Sequence, residues 1–125
     1  MKRVVIESPY AGDVAGNVAY AKRCVLDSLR RGEAPYASHL FFTQEGLLDD
    51  DDPDERAAGI EAGLAWGASA DEVAFYVDRG ISRGMRQGFD AAKARGAAVR
   101  IRAIDRKVTR ADWLALTGLP EVEAA

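Results

Sequence analysis

The chain predicts an α/β fold: a mostly parallel sheet of four or five strands with helices on both faces, three layers in all. Three observations predict it. Short β-branched apolar runs alternate with longer amphipathic stretches in the order β-α-β-α-β-α-β-α. Strands separated by helices pair in parallel, because each crossover returns the chain to the same end of the sheet. Capping residues open the amphipathic stretches and glycines close them. The chain has 125 residues, 48% hydrophobic and 30% charged, which suits one core and one domain. That domain spans 1–125, with its core at about 3–104 and a last helix at about 109–117.

Each element has a local reason. "RVVIES" is a buried strand from Arg3 to Glu7 that stops at "SPY". A first helix follows, capped by Asp13 and ended by Gly32, with Val14, Val18, Ala21, Val25 and Leu29 predicted as its inner face. "APYASHLFF" is expected as the second strand, entered by Pro35. The four aspartates Asp49 to Asp52 lead into a second helix. Asp52 is its cap, Pro53 its first residue, and Asp54 and Glu55 suit the positive end of its dipole. Its expected inner face is Ala57, Ile60, Leu64 and Gly67. "DEVAFYV" is the third strand. A third helix runs from the Ser82 cap to Gly96. In the fourth strand, Val99, Ile101 and Ala103 alternate with two arginines, which predicts a sheet edge with one wetter face. Thr109 caps a short amphipathic last helix. The architecture is flavodoxin-like or Rossmann-like. Its ligand site is expected beyond the C-terminal strand ends, where "ESPYAGD", "HLFFTQ" and "DRGIS" meet.

Composition narrows the function classes. The net charge of −3 argues against DNA or RNA as a partner, since that affinity comes from a basic surface. Cys24 is the only cysteine, so no intramolecular disulfide and no cysteine-held zinc are expected. The first residues hold too few apolar side chains for a signal-peptide core, and no apolar run approaches the ~18 residues of a membrane span. The expectation is a cytoplasmic protein with no membrane partner. The aspartate run lacks calcium-loop spacing and reads as a solvated helix cap, so no metal and no cofactor are expected.

Candidate ligand contacts cluster at the strand ends. Ser8, Tyr10 and Gly12 lie on the loop that leads to Asp13 and a helix N-terminus, where backbone N–H groups favour an anion. Gly80 and Ser82 open the third helix in the same way, with Arg83 and Arg86 nearby. His39 is the only histidine and falls at the site end of the sheet. Gly59, Gly63 and Gly67 recur every four residues and predict close helix packing, with a subunit boundary as one possibility. Trp66, this helix and "ADWLALTGL" predict a homo-oligomer.

The "SPY" start, "GDVAGNVAYA", "SHLFF" and "DRGISRGMRQGFDAAKARG" together resemble the nucleoside 2-deoxyribosyltransferase-like superfamily. They are most similar to its small, often phage- or prophage-encoded domains of unassigned function. The resemblance covers about Arg3 to Ile104 and implies a site for a nucleoside or nucleotide-type small molecule. It implies that Asp78 is the acidic residue that helps bind the sugar. It also places the nucleophilic glutamate eight residues before Gly96, where this chain has Gly88. Retaining glycosidic cleavage needs a carboxylate at the anomeric carbon. Asp90, two residues on, points about 200° away from Gly88 around a helix. Glu7 and Asp90 are the displaced carboxylates that remain. The leading expectation is therefore ligand binding on a fold without its usual nucleophile. The alternatives are an active deoxyribosyltransferase or nucleoside 5′-phosphate N-glycosidase using Glu7 or Asp90, and a protein-interaction module without a ligand.

Overall fold

The computed structural model describes residues 1–118. Its elements are β1 (Arg3–Glu7), α1 (Val14–Arg30), β2 (Ala34–Tyr36), α2 (Ser38–Phe42), α3 (Pro53–Gly67), β3 (Glu72–Tyr76), α4 (Arg83–Ala94), β4 (Ala98–Arg102) and α5 (Arg110–Thr117). The four strands form one all-parallel sheet in the order β2-β1-β3-β4. The chain winds outward from β1 in both directions, so β1 and β3 flank the point where the strand order reverses. Ligand crevices form at that point in such sheets.

Strand alternation sorts the core into two layers. Val4, Ile6, Ala74 and Tyr76 pack against Tyr20 and Cys24 of α1. Val5, Val73, Phe75 and Val77 pack against Met85, Phe89 and Ala92 of α4 and Leu116 of α5. The end of α3 lies over this second face. The Arg95 Nη2 donates to the Gly67 carbonyl at 2.9 Å, and a Cβ on Gly67 would touch Val5 at 3.5 Å. Among the described residues no helix is long and apolar enough to cross a membrane.

The caps are as expected. Asp13 accepts from Gly16 N, Asp52 from Asp54 N and Glu55 N, Ser82 from Met85 N, and Thr109 from Asp112 N. Gly32 and Gly96 end their helices at φ of 80° and 70°.

Four readings need correction. The second strand stops at Tyr36, and "SHLFF" is the helix α2. As an edge strand, β2 has one neighbour, and only Arg3, Val4 and Val5 of β1 pair with it. Beyond that register nothing holds the chain extended, and a short apolar run fits a helix equally well. In α1 the buried positions are Asn17, Tyr20, Ala21, Cys24 and Ser28, while Val14 and Leu29 are 41% and 50% exposed. In α3 Ala57 and Leu64 are exposed, and the glycine row turns inward instead. A Cβ on Gly63 would stand 2.9 Å from the Ser38 Cβ, and one on Gly59 would stand 3.2 Å from the Leu48 Cδ1. The close approach of Gly59 and Gly63 is internal, to α2 and its loop. Finally, β4 is an edge whose arginine face is wet at Arg100, as expected, and closed only at Arg102. Arg102 is 8% exposed, ion-paired to Glu33 at 2.7 Å and hydrogen-bonded to the Tyr76 hydroxyl at 3.1 Å.

Candidate functional site

Alternation along β1 decides which way its last side chain points. Val5 and Glu7 share a face, and Val5 packs in the core that α4 covers. Glu7 therefore emerges at the strand's C-terminal end toward α4. It meets a cavity of about 160 Å³ between α3 and α4. Gly59, Ile60, Gly63 and Leu64 of α3 form one wall, and Gly84, Gln87, Gly88 and Arg95 another. Tyr10, His39, Ser82 and Arg83 also line it. Bare glycine walls on both helices leave the space into which these polar groups project.

The Glu7 carboxyl lies against Gly88. A Cβ on Gly88 would stand 2.9 Å from the Glu7 Cδ and closer still to Oε2. The strand carboxyl thus fills the place that a side chain at position 88 would need. Glu7 is half-buried, and its carboxyl faces the cavity without a hydrogen-bond partner among the described residues. Burial pushes its pKa up to about 8, against the opposing charge of Arg95. At neutral pH the group is therefore mostly a neutral acid. Among the described residues neither Arg79 nor Arg83 pairs with Glu7. Arg79 donates instead to Asn17 Oδ1 at 2.8 Å and Asp13 Oδ2 at 3.1 Å.

His39 reaches the same cavity from α2. Its ring stacks on Tyr10, with centroids 5.9 Å apart and planes 20° from parallel. Burial lowers its pKa, opposed by a backbone hydrogen bond with Ser8 and by the Asp50 charge, so the imidazole is neutral at pH 7. Its Nε2 is buried and has no hydrogen-bond partner among the described residues. The Ser8 Oγ is in the same condition on a residue only 1% exposed.

The other candidates separate. Ser82 lines the cavity and also a shallower hollow beside it, shared with Ala11, Asp13, Asn17 and Arg79. Asp13 therefore lies next door, engaged as the α1 cap and as the partner of Arg79. Gly12 and Gly80 shape the two approaching turns at φ of 96° and 86°, and neither lines the cavity. Asp78 does not reach it either. Its carboxylate accepts from the Tyr20 hydroxyl at 2.6 Å, Ile104 N at 2.9 Å and Asp105 N at 2.9 Å. Burial would raise its pKa, but these hydrogen bonds outweigh that and hold it below the usual carboxylate value. Asp90 is exposed on the outer side of α4, as the 200° turn requires. Among the described residues no group of three or more His, Cys, Asp or Glu side chains is placed to hold a metal. The aspartate run serves as caps and as the Asp50–Arg56 ion pair at 2.7 Å.

Arg95 was not among the expected residues, although its spacing carried a signal. Gly84, Gly88 and Arg95 fall four and then seven residues apart, on one face of α4. Any reading that places Gly88 inward also brings Arg95 to the same side.

Residues 2–102 match the family described as Domain of unknown function (DUF7768), and the chain belongs to that family. The matched stretch contains every residue that lines the cavity, from Val5 to Arg95. No curated protein matches the chain.

Proposed function

We propose that this member of the DUF7768 family binds a nucleoside, nucleotide or nucleotide-derived small molecule in the cavity at the end of β1, without efficient glycosidic cleavage. One observation carries the reading: a carboxyl without a hydrogen-bond partner among the described residues lines a largely apolar cavity together with a stacked Tyr10–His39 pair. Small-molecule sites have this composition, a hydrophobic lining with a few convergent polar groups. A cavity of about 160 Å³ takes a single ring, by comparison with engineered cavities of about 150 Å³ that bind benzene. The sugar and any phosphate would then lie toward the mouth, near Arg83 and the α4 N-terminus. The resemblance to the deoxyribosyltransferase-like superfamily favours the same ligand class. The compartment proposed is the cytoplasm.

Inefficient cleavage follows from the carboxyl's state. A protonated Glu7 is not a nucleophile, and Gly88 has no side chain. One fact favours the second reading, an N-glycosidase using Glu7: its carboxyl fills the space that the resemblance gives to a glutamate from α4. A thermal-shift screen with nucleosides, mononucleotides, cyclic nucleotides and ADP-ribose tests the binding proposal, because a ligand of the native state raises Tm with concentration. A concentration-dependent rise is expected for at least one of them, and no rise for any would refute it. Turnover of a hit by the parent, abolished in Glu7→Gln, would make the second reading correct.

A further inference from the structure

We infer that Gly84 is a specificity-determining residue of this cavity: its bare backbone gives passage, past the first turn of α4, to the bulky substituent on a ligand's ring, the sugar of a nucleoside or nucleotide. The inference rests on the binding proposal above and says which part of the chain admits that part of the ligand.

The chain has twelve glycines, and the fold accounts for all but this one. Six of them, Gly12 and Gly80 included, have φ between 70° and 96°, a region that suits glycine and few other residues. Five more are held bare by a neighbour. A Cβ on Gly16 or Gly88 would run into the carboxyl of Asp13 or Glu7, one on Gly59 or Gly63 would crowd Leu48 or Ser38, and one on Gly67 would touch Val5 at 3.5 Å. Gly84 has neither reason. Its φ lies outside that region, and a Cβ there would meet only the Ser82 Oγ, at 3.8 Å, an ordinary contact with the cap of its own helix. Glycine is a poor helix former, so it stands here against the local preference. A local rule broken without a packing reason, on the wall of a cavity, marks a functional position.

The geometry says what the bare position is for. Gly84 is half-buried and lines the cavity. It lies one turn before Gly88, so the two share a face of α4, and on that face Gly88 abuts the Glu7 carboxyl. A side chain on Gly84 would therefore enter the space between α4 and the facing wall of Ile60 and Leu64 on α3. It would do so beside Ser82 and Arg83, at the end of the cavity where the binding proposal places the sugar.

Dose-dependent thermal shift of the intact chain with uridine, adenosine and their 5′-monophosphates tests this. Gly84→Leu and Gly84→Gln put good helix formers into open space, so their ligand-free Tm should not fall below the parent's. Each compound that raises the parent's Tm should bind these variants at least about tenfold more weakly. Lys93→Leu adds an equally large apolar group at an exposed position of α4 that does not line the cavity, and should bind as the parent does. Parent-like affinity in a folded Gly84 variant, or an equal loss in Lys93→Leu, overturns the inference while the binding proposal stands. If Gly84→Leu fails to fold, Gly84→Gln decides. If none of the four compounds raises the parent's Tm, the inference falls, and the binding proposal falls with it only when the wider screen is blank as well.

Discussion

Glu7 and Asp78 both lie at strand ends in half-buried surroundings, yet their carboxyls are in opposite states. Asp78 receives a hydroxyl and two backbone N–H groups, which stabilise its charge. Glu7 receives none among the described residues, and burial favours its proton. Asp78 is therefore a structural clasp joining α1 to the stretch after β4. Asp78→Ala should lower stability by roughly 2–4 kcal/mol in chemical denaturation, because it leaves the Tyr20 hydroxyl and two N–H groups unmet. An undestabilised variant would return Asp78 to the list of ligand contacts. Glu7 gives the opposite sign. Folded Glu7 holds its proton to about 8, against an ordinary value of 4.5, so between those values the folded chain binds more protons than the unfolded one. Its contribution to stability is complete below 4.5 and is lost as pH rises through 8. Denaturation of Glu7→Gln against parent should show the variant gaining in relative stability across that window, by at most about 1.4 kcal/mol per pH unit. Parallel profiles would mean that the carboxyl is ionised and solvated in the folded state.

At the scale of elements, the helix starts, the central strands and the edge position of β4 were legible because each has a local cause: a cap, a β-branched run or an alternation. The inner faces were not. Apolar periodicity in α1 points to Val14 and Leu29, but the face that packs includes Asn17, Tyr20 and Ser28. Those polar residues are buried because groups outside the helix satisfy them. Asn17 donates to the Tyr10 and Ala11 carbonyls, Tyr20 to Asp78, and Ser28 to Glu33. The partners of Asn17 and Ser28 lie in the loops flanking α1 and that of Tyr20 lies beyond β3, so none shows in the helix's own periodicity. The α3 face follows the same rule in reverse, since its glycines look like weak helix and act as the contact surface. That gives a paired prediction. Gly63→Ala should destabilise, although alanine is favoured over glycine in a helix by about 1 kcal/mol, because its Cβ meets Ser38 at 2.9 Å. Gly84→Ala, whose nearest neighbour is the Ser82 Oγ at 3.8 Å, should be neutral or stabilising by up to about 1 kcal/mol. Thermal unfolding of the two variants checks the contrast, and equal effects would contradict the inward placement of α3.

For the whole molecule, parallel winding brings the ends of β1 and β3 together and sets the site where the strand order reverses. Glu7, Tyr10 and Ser82 were legible as residues at or just beyond strand ends; His39 was legible at the site end of the sheet, although it lies on α2. The cavity that Glu7 faces was not, because it depends on glycines of α3 and α4 far along the chain. We also propose self-association. Trp66 is 65% exposed, and Phe41, Leu47 and Leu114 are exposed too. Light scattering at high micromolar concentration should give at least a dimer, and a monomer would contradict this. The central claim, that the Glu7 cavity takes the ring of a nucleoside-type ligand, is tested most directly by a crystal structure grown with adenosine. The base is expected between α3 and α4, against the Glu7 carboxyl and beside Tyr10. Adenosine in the hollow of Asp13 and Arg79, or absent from both sites at saturating concentration, would contradict it.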